Sequence, residues 1–156
     1  MREGSGRMFE AWESPSISSI REATRSIACE WHDVLGDALR SHPESCSLKV
    51  PGCPALPAHL DKNRYGTLQI VIPLCRTAAI LWPGSHKYDF GDDTPLYTLT
   101  PEDLCHLKAK GCHREEVDLN MGDVLVFLGG RMVHGSPAVG DGEAPRCKTY
   151  AHWSVK

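Results

Sequence analysis

Apolar residues change their spacing along this chain, and each change predicts a different element. Ile17, Ile20, Thr24, Ile27, Trp31, Val34 and Ala38 step by three and four, which draws one stripe along a helix. Ser14-Pro15 supplies a cap and a first-turn proline, and His42-Pro43 ends the pattern, so a helix is expected over 14–42. Its stripe reads as core packing rather than a groove for a partner. Residues 1–13 carry no such pattern and read as a tail. Residues 43–58 are turn-rich, with Pro43, Pro51, Gly52, Pro54 and Pro57, and hold one short strand, Ser47–Val50.

Beyond that the character is β. Thr67–Leu74, Ala78–Trp82, Glu116–Leu119, Val124–Leu128, Met132–Ser136 and Lys148–Val155 are short apolar or branched runs separated by Pro and Gly turns. One helix interrupts them. Thr100 is its cap, Pro101 its first residue, Glu102 and Asp103 its first-turn acids, and Gly111 its stop. Such strands are too short and too close for repeated βαβ crossovers, so a mainly β sandwich, barrel or jelly roll is expected. The chain reads as a single domain over 1–156 with its β core over 47–155. Residues 85–115 are expected to form a helical insert at the mouth of the barrel, for substrate recognition or as a lid.

Composition narrows the class. The chain has 156 residues, enough for one core, and at 41% hydrophobic and 24% charged it resembles ordinary globular proteins. A net charge of −3 gives no footprint for nucleic acid or an anionic membrane. No run is long and apolar enough to span a bilayer, and no apolar segment follows the polar N-terminus, so a cytoplasmic location is expected. Among the seven cysteines no two are separated by only two residues, which argues against a zinc ribbon and for reduced, half-buried thiols.

The candidate chemistry lies in His59, Asp61 and His134. His59 and Asp61 are two apart and share a face if that segment is extended. His134 joins them only if the fold brings distant strands together. Two imidazoles and one carboxylate can hold one face of a metal and leave the other open, the arrangement of non-haem Fe(II) oxygenases. With eight histidines in the chain, a His-x-Asp pattern also arises by chance, and His134 and Arg146 taken singly read as a strand histidine and a surface ion pair. Order and surroundings lift them above that reading.

Those surroundings are Pro57-Ala58-His59-Leu60-Asp61, Ile80-Leu81-Trp82-Pro83-Gly84-Ser85-His86, Met121-Gly122-Asp123-Val124-Leu125-Val126-Phe127, His134-Gly135-Ser136-Pro137 and Arg146. In this order they resemble the Fe(II)/2-oxoglutarate-dependent dioxygenases, and within them the phytanoyl-CoA dioxygenase-like group, over roughly the C-terminal two-thirds of the chain. The resemblance implies a double-stranded β-helix, the cupin-like jelly roll. It implies His59, Asp61 and His134 as Fe(II) ligands, Arg146 as a bidentate partner for the far carboxylate of 2-oxoglutarate, and Ser136 as a hydroxyl helping to bind that carboxylate. It further implies O2 as co-reactant, succinate and CO2 as products, and hydroxylation of a small-molecule or acyl-type substrate. Relatives that halogenate lack the carboxylate that Asp61 supplies here.

Other positions stay open. Gln69 reads either as a cosubstrate-facing residue or as an ordinary half-buried strand position. Lys148 and Tyr150 share a strand face with Arg146 and either line the pocket or pack within the barrel. His86 reads as structural and Trp82 as core. Cys105-His106 and Cys112-His113 fit no zinc spacing and read as surface residues. The ligand histidines must be neutral, so metal binding is expected to weaken as pH falls towards ~6. Two other readings remain: a non-catalytic metal-binding cupin-like module or truncated oxygenase, and a metal-dependent hydrolase or isomerase. Arg146 and Ser136 speak against the last.

Overall fold

The computed structural model describes residues 7–10, 22, 24–26, 39–41, 45–61, 68–90 and 97–155. Its strands are β1 (Arg7–Glu10), β2 (Leu39–Ser41), β3 (Ser45–Lys49), β4 (Leu56–Leu60), β5 (Leu68–Pro73), β6 (Thr77–Leu81), β7 (Tyr97–Thr98), β8 (Glu115–Leu119), β9 (Leu125–Phe127), β10 (His134–Ser136) and β11 (Arg146–Val155). One sheet runs β1-β3-β11-β5-β9, with β2 beside β11; the other runs β7-β4-β10-β6-β8. From β4 to β6, and again from β8 to β11, the chain alternates between the sheets. That winding makes a double-stranded β-helix, and all strand pairs are antiparallel.

Successive side chains on a strand point to opposite faces, and here both faces are covered. Val71, Ala79, Leu81, Leu119 and Phe127 pack together between the sheets. Leu68, Ile70, Ala151 and Trp153 form a second cluster on the far side of the larger sheet. Ala58, Leu60, Ile80, Trp82 and Val133 form a third, behind the smaller sheet, with Leu107 and Leu104. Burial on two faces is why β5 and β6 read as continuous apolar runs instead of alternating ones.

Leu104 and Leu107 belong to α1 (Pro101–Ala109). The Thr100 hydroxyl accepts from the Asp103 N–H, the Asp103 carboxylate accepts from the Thr100 N–H, and Pro101 fills the first turn. The helix forms where expected, but it buttresses the back of β4 and β6. This part of the 85–115 segment is therefore not a lid over the mouth, since its apolar side is used against the sheet. Residues 91–96 of that segment lie outside the described residues.

Other expectations are corrected. Residues 7–10 are a strand on the edge of β3, not part of a tail. Residues 39–41 pair with Trp153–Val155 of β11, so a helix over 14–42 does not reach its expected end. β3 covers only Arg146–Tyr150, and β2 takes the edge of β11 that remains. Residues 22 and 24–26 are helical; the rest of the expected helix up to residue 38 lies outside the described residues. β4 begins within the segment read as turn, and β7 carried no signal. Among the described residues no helix is long and apolar enough to cross a membrane.

Candidate metal centre

β4 and β10 are neighbours in the smaller sheet, and their register sets His59 directly opposite His134. Both side chains point between the sheets, because Ala58, Leu60 and Val133 take the other face. Asp61 follows β4, with its N–H donated to the Gly129 carbonyl at 3.1 Å. Its carboxylate reaches both rings: Oδ1 lies 3.6 Å from His59 Nε2, and Oδ2 lies 3.4 Å from His134 Nε2. The ring centroids are 4.2 Å apart, and one donor atom from each of the three residues falls within 4.8 Å of the others.

The local backbone aims these atoms. Between the pairs His134↔His59 and Ser136↔Leu56, β4 spends one residue more than β10, a bulge. The bulge presses carbonyls onto Gly135, where a Cβ would meet the Leu56 oxygen at 2.7 Å and the Pro57 oxygen at 3.2 Å. The Pro57 carbonyl also accepts from His59 Nδ1 at 2.8 Å, and the Met132 carbonyl accepts from His134 Nδ1 at 2.9 Å. A carbonyl only accepts, so both Nδ1 atoms carry a proton, and both Nε2 atoms face Asp61. Metal-ligating histidines are oriented in this way.

Electrostatics keep the set ready for a cation. Burial chiefly, then the neighbouring His134, push the pKa of His59 down to about 4, against the opposing pull of the Pro57 carbonyl and Asp61. Burial alone would raise Asp61, but the adjacent His134, His59 and His152 more than offset it and hold the carboxyl below its usual range. The loss of metal binding expected near pH 6 is thereby displaced downward for His59. Two imidazoles with a carboxylate are the donor set that a divalent transition metal takes.

Ser85 supports His134 and had no signal in the sequence beyond its Pro-Gly-Ser-His surroundings. It is fully buried, and its hydroxyl accepts from the Val133 N–H at 2.9 Å. Trp82 N–H in turn donates to the Val133 carbonyl at 3.0 Å. The motif thus works through Ser85, while His86 is exposed. Of the second histidine-cysteine group, Cys112 is buried beside Gly84, whereas Cys105, His106 and His113 are exposed. Among the described residues, His59, Asp61 and His134 are the one group of three with metal-ligating geometry.

Gln69 lies on β5 in register with both Phe127 and His152. It abuts Gly129, the residue that accepts the Asp61 N–H, and its Oε1 has no hydrogen-bond partner among the described residues. Ser136 is buried at the end of β10. The next carbonyl, that of Pro137, accepts from Lys49 Nζ at 3.0 Å. Lys49 stands opposite Arg146 in register, so Ser136 and Arg146 occupy one end of the barrel. Arg146 Nη2 donates to Glu143 at 2.7 Å, while Nη1 is buried without a partner among the described residues. Half of the guanidinium fork is therefore available to a carboxylate.

No family model and no curated protein matches the chain. Solved structures do. The non-heme alpha ketoglutarate dependent carbocyclase SnoK from nogalamycin biosynthesis matches with a TM-score of 0.71 and 22% identity, over 96% of this chain and 64% of its own. EctD from S. alaskensis in its apoform matches at 0.73 and 19%, over 99% and 58%. HygX from Streptomyces hygroscopicus, with nickel and 2-oxoglutarate bound, matches at 0.69 and 16%, over 97% and 70%. At these identities the likeness defines the fold: the double-stranded β-helix shared by these 2-oxoglutarate-dependent and 2-oxoglutarate-binding proteins. The chain spans less than two-thirds of the length of SnoK and of EctD.

Proposed function

We propose that this chain is a non-haem Fe(II)- and 2-oxoglutarate-dependent oxygenase that hydroxylates a small-molecule or acyl-type substrate. The observation that carries the reading is the convergence of His59, Asp61 and His134, with both Nε2 atoms turned to one point. Those three residues would hold Fe(II) on one face and leave the other open. Bound there, Fe(II) would supply oxidation of the substrate by O2, coupled to conversion of 2-oxoglutarate to succinate and CO2.

The chain's own residues have distinct tasks. Asp61 contributes charge and fills a position that would otherwise be open to a halide, which favours hydroxylation. Arg146 offers Nη1 to the far carboxylate, Ser136 adds a hydroxyl at the same end, and Gln69 faces the cosubstrate with its amide. Phe127 packs edge-to-face against His134, with ring centroids 4.9 Å apart, and with Val71 and Leu81 keeps the surroundings dry. The 2-oxoglutarate bound in HygX, and the 2-oxoglutarate and 5-hydroxyectoine bound in EctD, support the same reading for this fold.

The test is succinate release from 2-oxoglutarate by iron-loaded protein under O2, without any further substrate. Slow succinate formation that Asp61→Ala abolishes is expected. Release unchanged in Asp61→Ala, or none from the wild type, contradicts the oxygenase and leaves a binding module.

A further inference from the structure

Lys148 is a buried cation without an anion among the described residues. It follows Arg146 by two residues on β11, faces the space between the sheets, and is 6% exposed. An ammonium has three protons to donate. Here Nζ makes one long hydrogen bond, to the Ala78 carbonyl at 3.5 Å, and lies 5.4 Å from the Tyr150 ring centroid. Its charged neighbours are Arg146 on the same strand and Lys49 on β3, and burial together with these two cations brings its pKa down to about 8. Tyr150 offers no negative charge, since burial pushes its hydroxyl up.

No described carboxylate pairs with Lys148. Glu143 is already engaged by Arg146 Nη2, and Lys49 Nζ is engaged by the Pro54 and Pro137 carbonyls. Two inward donors remain, Arg146 Nη1 and Lys148 Nζ. Lys148 also contributes to the field at His59, so it lies within electrostatic reach of the candidate metal ligands. A buried, unneutralised charge is costly unless a ligand supplies its counter-ion.

We propose that Lys148 is a second cation of the anion site, holding with Arg146 the far carboxylate of a 2-oxo dicarboxylate. The proposal rests on the oxygenase reading for the identity of that ligand. The pair makes the site selective for the second carboxylate: a 2-oxo acid of equal length without it leaves the Lys148 ammonium unneutralised and Arg146 Nη1 unpaired. Lys148 does no chemistry in this role; it binds and selects the cosubstrate.

The experiment is calorimetric titration of nickel-loaded protein, without O2, using 2-oxoglutarate and 2-oxopentanoate as probes. The variants are Lys148→Met, Lys148→Arg, Arg146→Met and Asp61→Ala. Wild type is expected to prefer 2-oxoglutarate. Lys148→Met should weaken 2-oxoglutarate by about tenfold or more and leave 2-oxopentanoate unchanged, with Lys148→Arg restoring most of the difference. Without ligand, Lys148→Met should melt no lower than wild type, because it removes a buried charge. A merely structural lysine would lower the melting temperature and weaken both probes alike, and that result overturns the proposal. If 2-oxoglutarate binding is lost in Asp61→Ala and Arg146→Met but survives Lys148→Met, the proposal fails and the oxygenase reading stands. If wild type binds no 2-oxoglutarate, both fail.

Discussion

The hydroxyl of Ser85 takes the backbone N–H immediately before His134, at full burial. Replacing it by alanine leaves that N–H without an acceptor, which costs about 1–3 kcal/mol. Ser85→Ala should lower stability by this amount in denaturant unfolding and weaken nickel binding through His134; unchanged metal affinity would separate Ser85 from the centre. His59 sets a pH dependence. In the unfolded chain it titrates near 6.5, and in the metal-free fold near 4. Between these values the unfolded state binds more protons. The contribution is therefore full above about 6.5, falls as pH drops towards 4, and is flat below. Unfolding of metal-free wild type and His59→Gln across this range checks it. The variant should lose part of the slope, and equal slopes would contradict the shift.

At the scale of elements, the bulge in β4 does most to shape the centre. It turns the Pro57 carbonyl to His59 and brings two carbonyls against Gly135. Gly135→Ala should push β4 and β10 apart, costing about 1–3 kcal/mol and much of the nickel affinity. Full metal affinity in that variant would show that the two strands are free to separate without harm.

The elements differ in how far the sequence exposed them. β5 and β6 stand out because both their faces are buried and their runs are almost wholly apolar, β9 by its short apolar run, and the C-terminal strand by its branched and aromatic residues in alternation with polar ones. α1 is marked by its cap, Thr100 with Asp103 and Pro101. Its place behind β4 and β6 is not, since only Leu107 of its residues is fully covered and the sheet it meets is distant in sequence. β4 is masked by Pro54 and Pro57, which signal turns but here lead into a strand and its bulge. β1 and β2 are short edge strands whose pairing depends on which edges of β3 and β11 remain free. The residues His59, Asp61 and His134 were legible from their order and surroundings. The lack of an anion at Lys148 among the described residues was not, because it depends on cross-strand register and burial.

Across the whole molecule, winding between two sheets brings residues 59 and 61 to residue 134. The same winding sets β11 beside them, with Arg146, Lys148, Tyr150 and His152 on its inner face. His152 lies near enough to influence Asp61, and Arg146 stands at the other end beside Lys49. One face of one strand thus links the His59, Asp61 and His134 group to the inward cations Arg146 and Lys148. The measurement that tests this most directly is an anaerobic titration of metal-free protein with Fe(II) and 2-oxoglutarate, followed by the weak visible charge-transfer band of the chelate. The account predicts the band in wild type, its loss in Asp61→Ala and its weakening in Arg146→Ala. No band in wild type, with Fe(II) binding indifferent to Asp61→Ala, would contradict it.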